Sequence, residues 1–151
     1  MIATTSSATV NGSGDHVTVL GTGNALTVSG SSNAVTASGT AVTLTGTGSS
    51  AVVTGSGDAI VVAGMNDTLT AGTGTIAVNA TGASVTTTAA TAITLASNIA
   101  VTLDAGGFAD QVTLGANDTL TLLNGANTVL KATGTGGTVT ANNTVVTLSA
   151  S

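Results

Sequence analysis

One phrase governs this chain: a glycine-rich turn ending in Asn or Asp, followed by an apolar–Thr–apolar strand. It reads Gly21-Thr22-Gly23-Asn24-Ala25-Leu26-Thr27-Val28 and returns at residues 12–19, 55–62 and 115–122. The first apolar residues of successive phrases are Val17, Leu26, Val35, Val42, Val52, Ile60, Leu69, Ile76, Val85, Ile93, Val101, Val112, Leu120, Val129, Val139 and Val146, with steps of 7 to 11 residues. Thr9-Val10 adds a strand ahead of them. So short a unit cannot bury an apolar face alone; it does so by stacking coil on coil, as solenoids do.

Within each phrase the alternation has a period of two, which is the period of a strand. The first and third positions point inward and the middle one outward. Thr fills twelve of the sixteen middle positions, where a β-branched residue favours extended backbone and its hydroxyl meets water. Glycines such as Gly21, Gly23, Gly55 and Gly57 lie between the strands, where positive φ is cheap. Asn or Asp stands two residues before many inward positions, as at Asp15, Asn24, Asp58 and Asp118. Such residues tolerate left-handed backbone and bond nearby N–H groups. Proline, which cannot donate to a ladder paired on both edges, is missing from the chain.

The prediction is a single all-β domain over residues 1–151, a parallel β-solenoid, right-handed by the crossover rule. Coil size is less constrained. Asn66–Thr70 is repeated as Asn117–Thr121, 51 residues on, which is six strands and divides equally by two or by three. Two inward aliphatics per strand favour a triangular bore of three strands and about 25 residues per coil; two strands and about 17 residues are the alternative. Residues 104–110 make the widest gap, hold the only aromatic, Phe108, and read as a small loop. Strict alternation would bury Lys131 next to an outward Leu130, so a bulge that turns Lys131 to solvent is expected there.

The phrase Gly-x-Gly-Asn/Asp-x-Val-Thr-Val, as at residues 12–19, resembles the glycine-rich repeats of bacterial secreted β-solenoids, RTX-type β-rolls and repetitive surface adhesins among them. The resemblance covers nearly the whole chain and implies a bacterial protein outside the cell. The calcium repeat of the rolls needs Asp at one place in every turn, whereas that place here holds Asn24, Thr40, Ser50, Gly74 and Ala83. No obligatory metal and no other cofactor is expected.

Composition excludes several classes of function. With one Lys, no Arg and no aromatic beyond Phe108, the chain lacks the means to bind nucleic acid. Apolar residues are spread too evenly for membrane insertion. His16 is the only histidine and the six Asp stand singly in separate turns, so neither a triad nor a carboxylate pair is in view and no enzyme is expected. The first residues show no basic and apolar signal segment; the expected location is extracellular or on the cell surface, without a recognisable N-terminal signal.

The terminal phrases lack charge clusters or proline to protect open strand edges. This points to a structural protein stacking end to end with copies of itself in a filament, sheath or matrix fibre. The end coils would carry assembly through Thr9, Val10, Val17, Val19, Val139, Val145, Val146 and Leu148. Outward aliphatics at Leu20, Val53, Val61, Leu123 and Leu130 would offer lateral contacts. The alternative is a monomeric binding module, an adhesin repeat section or an ice-binding protein, with a surface glycan or ice as its partner. Its Thr-x-Thr pairs, Thr43 with Thr45, Thr68 with Thr70 and Thr119 with Thr121, would lie on one face of a three-strand coil.

Overall fold

In a computed structural model, residues 5–142 and 144 can be described. They form fourteen strands and no helix, hence no helix able to cross a membrane. The first seven are β1 (Ser7–Asn11), β2 (His16–Thr18), β3 (Ala25–Ser29), β4 (Asn33–Thr36), β5 (Ala41–Leu44), β6 (Ser50–Val62) and β7 (Thr68–Val78). The second seven are β8 (Ala83–Thr87), β9 (Ala92–Leu95), β10 (Ala100–Asp104), β11 (Gln111–Leu114), β12 (Thr119–Leu123), β13 (Val129–Ala132) and β14 (Thr138–Ala141).

All pairings are parallel, and they sort the strands into two ladders. One runs β1, β3, β5, the second half of β6, the second half of β7, β9, β11, β13. The other runs β2, β4, the first halves of β6 and β7, then β8, β10, β12, β14. The molecule is therefore a β-solenoid of about 8 turns and roughly 18 residues per turn, two strands to the coil. This corrects the expectation of three strands and about 25 residues. At ~4.8 Å per coil the rod is about 38 Å long.

The thin bore has a physical cause in the corners. A small polar residue precedes most strands and turns inward, as Asn24, Asn33, Thr40, Ser49, Asp58, Asp67, Thr91, Asp110, Asp118 and Thr128 do, all buried. These close the narrow sides, so the two sheets pack face to face and no third strand is needed. Between them run columns set by register. Leu26, Val42, Ile60, Ile76, Ile93, Val112 and Leu130 form one, all buried. On the other sheet a single column passes from Asn33 through Ala51, Leu69, Val85 and Leu103 to Leu122. Each fully buried Leu, Ile or Val contributes roughly 1.5–3 kcal/mol.

Register with the neighbouring coils corrects the inward position on two strands. Val52 is 45% exposed and Val53 3%, so Val53 is core and no lateral contact. Its register partners, buried Val35 and Ala71, are inward too, and Ala51 is the first inward residue of that strand. Likewise Leu130 is 1% exposed and Val129 52%. Leu130 pairs with Val112 and Lys131 with Thr113, so ordinary alternation turns Lys131 to solvent and no bulge is needed. Residues 104–110 make a corner in which Gly106 and Gly107 have positive φ, Phe108 lies over Gly106, and Asp110 is buried.

Candidate functional site

The corners repeat one chemical device. Asn24 Oδ1 accepts the Ser6 N–H at 3.0 Å, and Asn33 Oδ1 the Asp15 N–H at 3.0 Å, each 18 residues earlier. Asp58 does the same for Thr40 at 2.9 Å and Asp67 for Ser49 at 2.8 Å. Asp110 and Asp118 serve Thr91 and Ile99 at 2.8 and 3.2 Å. The corner N–H of one coil is thus satisfied by a side chain of the next, a bond that a sheet ladder cannot supply at a turn. The second polar atom of the side chain folds back over the residue three earlier: Asn24 donates to Gly21 O at 3.1 Å, and Asp118 Oδ2 accepts the Gly115 N–H at 2.7 Å.

Left-handed backbone falls one residue before this position, not on it. Gly14, Ser32, Gly48, Asn66, Gly82, Asn98, Asn117 and Gly136 all have φ between 57° and 81° and precede the strands of the second ladder. Asn117 donates to Asn98 Oδ1 at 3.1 Å, a step of a side-chain ladder on the outside of that corner. The inward hydroxyl residues Thr40, Ser49, Thr91 and Thr128 escape a search for Asn and Asp alone; Thr40 and Thr91 donate to the Ser38 and Ala89 carbonyls, and Ser49 accepts the Gly30 N–H. A glycine three residues upstream marks many of these corners, as in Gly46/Ser49, Gly55/Asp58, Gly64/Asp67 and Gly125/Thr128, but not Thr40 or Thr91, which have Ala37 and Thr88 there.

This arrangement hides the charge. Asp58, Asp67, Asp110 and Asp118 are buried and Asp15 is half-buried, so a net charge of -5 leaves the outer faces nearly uncharged apart from Asp104, His16 and Lys131. Burial pushes the carboxyls of Asp67 and Asp110 above their ordinary range. The N–H groups of Ser49 and Gly64 for Asp67, and the Thr87 hydroxyl with the Thr91 N–H for Asp110, pull the other way. Among the described residues no three His, Cys, Asp or Glu side chains converge to hold a metal.

The ends differ from the middle. Among the described residues β1 and β2 pair only with β3 and β4, and β13 and β14 only with β11 and β12, so one edge of each remains unpaired. Thr9 is exposed; Val10, Val17, Val19 and Val139 are half-buried against the core. A hollow of about 290 Å³ opens at the first coils between Ala8, Val17, Val19 and Leu26. One of about 530 Å³ opens at the other end between Leu114, Ala132, Gly137 and Val139. Val145, Val146 and Leu148 lie outside the described residues.

Of the lateral candidates, Leu20 and Leu123 are exposed, Val61 is half-buried on the outer face, and Val53 and Leu130 are core. The expected Thr array is corrected in two respects. Its pairs do not share a face: Thr43 belongs to the first ladder, whereas Thr68, Thr70, Thr119 and Thr121 belong to the second. Nor is Thr45 a strand residue, because β5 ends at Leu44 and Thr45 stands half-buried at the start of the Gly46 corner. Its backbone is held there from both sides: the Thr45 N–H donates to Val28 O at 2.9 Å, and its carbonyl accepts the Ser49 hydroxyl at 2.6 Å. Thr45 therefore shapes a turn and offers no second hydroxyl to a flat array beside Thr43. On the second ladder, however, register aligns Ser50, Thr68, Ser84, Thr102, Thr121 and Thr140 in one outward column of hydroxyls. Comparison with protein-family models, with curated proteins and with solved structures gave no match.

Proposed function

We propose that this chain is a structural protein that stacks end to end into an extracellular or cell-surface fibre. What supports this reading is that, among the described residues, parallel edges at opposite ends of the rod are left unpaired, each beside half-buried valines and an open hollow. In a parallel ladder the two ends are complementary to each other and not to themselves. A second copy therefore docks head to tail, and such a contact grows without closing. Each backbone bond gained at the junction adds about 0.5–1.5 kcal/mol, and covering the apolar mouths adds to it. The nearly uncharged outer faces oppose association little, and Leu20 and Leu123 offer lateral contacts. Negative-stain electron microscopy of the purified chain over a dilution series tests this: uniform filaments that survive dilution support it, discrete short particles overturn it.

The hydroxyl column of the second ladder favours a second reading, a binding module for a regularly repeating surface such as a glycan or ice. Discrete particles that inhibit ice recrystallisation or bind polysaccharide, and lose this when Thr102 and Thr121 become Val, would select it over the first.

A further inference from the structure

We infer that the bore holds one proton on Asp67, whose Oδ2 carries it toward the Gly46 carbonyl. The precedent for this bond lies in the same chain. Asn33, at the equivalent corner, accepts the Asp15 N–H with Oδ1 and donates from Nδ2 to Gly12 O at 3.1 Å, 21 residues earlier. Asp67 accepts the Ser49 N–H with Oδ1 in the same way, and Gly46 stands 21 residues before it. A side chain on Gly64 would collide with both Gly46 O and Asp67 Oδ2, so the two oxygens border one small space, as Gly12 O does above Gly30. Where Asn33 places an N–H₂, Asp67 places an oxygen. That oxygen is fully buried and has no hydrogen-bond partner.

The other buried acids show the contrast. Asp118 has two N–H donors, from Ile99 and Gly115, and Asp110 has the Thr91 N–H and the Thr87 hydroxyl. Among these three only Asp67 has an oxygen that accepts no hydrogen bond: the Gly64 N–H lies near the carboxyl without bonding Oδ2, and a bare carboxylate oxygen buried beside a carbonyl is costly where a carboxylic acid is not. The residues stacked on it, Ser49 and Ala83, do not titrate; the facing sheet brings only Asp58, at the opposite corner and bonded to Thr40. His16 and Lys131, both exposed, lie outside the bore. The raised titration of Asp67 has the same direction. Folding takes up this proton from solvent.

The sign follows. Below the ordinary carboxylate range both states carry the proton; above it only the folded state does, until its own titration is reached. In that window acidification increases the folding constant by up to tenfold per pH unit through this group. The test compares the full chain with Asp67→Asn, which installs the Asn33 side chain at this corner. Denaturant unfolding at several pH values between about 5 and 7.5 should show one proton fewer taken up on folding by the variant, and greater stability than wild type at the upper pH. An infrared band of a protonated carboxyl, present in folded wild type at neutral pH and lost in Asp67→Asn, is the second readout and does not depend on unfolding. Equal proton uptake by the two chains, or no such band in wild type, overturns the inference.

Discussion

Thr87 donates its hydroxyl to Asp110 Oδ2 at 2.7 Å across 23 residues of sequence, inside the bore. The Thr stands in a column of Val35, Val53 and Ala71, where an aliphatic is the natural choice. Its hydroxyl is the donor that lets Asp110 stay at the corner, where it also accepts the Thr91 N–H. Thr87→Val keeps the shape and orphans the carboxylate oxygen, at a cost of about 1.5–3 kcal/mol near neutral pH. Asp110 already titrates above its ordinary range because of burial, and losing the hydroxyl raises it further. The penalty belongs to the charged form: it is full above the folded-state titration and vanishes below about pH 3.9, where both states are neutral. Denaturant midpoints at neutral and acid pH should show the wild-type–variant gap shrinking toward acid.

The left-handed column makes a separate prediction. Gly82 has φ +81° and Asn66 Oδ1 occupies the space where its Cβ would go; Gly48 has φ +71° and open space. Gly48→Ala should cost only the backbone term, about 1–2 kcal/mol. Gly82→Ala must also displace the Asn66 side chain and should cost clearly more. Replacing Asn66 by Gly as well should bring the cost of Gly82→Ala back to that seen at Gly48. Thermal unfolding of the four variants checks it.

Alternation is tested where adjacent leucines have opposite fates. Leu122 is buried in the column that begins at Asn33, while Leu123 is exposed beside Asp104 in register. Leu122→Ala should destabilise by about 2–5 kcal/mol, and Leu123→Ala by no more than about 0.5 kcal/mol. Similar losses at both positions, read from denaturant midpoints, would contradict this register.

How far the sequence discloses this structure depends on which rule decides each residue. Leu26, Val42, Ile60 and Ile93 sit inward as period-two patterning requires, with Thr27, Thr43 and Thr94 outside. Val52-Val53 and Val129-Leu130 defeat the pattern because two adjacent aliphatics leave its phase open, and Ala51 does not announce itself as core. Only the neighbouring coil fixes the phase there, through Val35 opposite Val53 and Val112 opposite Leu130. Thr45 defeats it differently: alternation extends the strand past Leu44, but the Gly46 corner takes Thr45 for its own hydrogen bonds. Coil size is ambiguous in sequence because Asn66 and Asn117, 51 residues apart, occupy the same corner whether the coil has two strands or three. What decides it is the inward turn of the corner residues, and Gly64 before Asp67 or Gly115 before Asp118 is its trace in sequence. The end residues are legible as strand, but among the described residues nothing pairs with their outer edges.

Polymerisation through unpaired edges can be tested at β1, which allows a substitution confined to its outer edge. Ala25 donates to the Ser6 carbonyl, so alternation along β1 directs Ser6, Ala8 and Val10 toward β3 and leaves the Thr9 N–H at the unpaired edge. Thr9→Pro removes that donor without removing a bond to β3. The decisive comparison is sedimentation velocity of wild type and Thr9→Pro across a dilution series. Wild type should run as long, slowly dissociating polymers and the variant as single folded chains. Wild type sedimenting as a single chain at every concentration, or Thr9→Pro polymerising as wild type does, would contradict assembly through these edges.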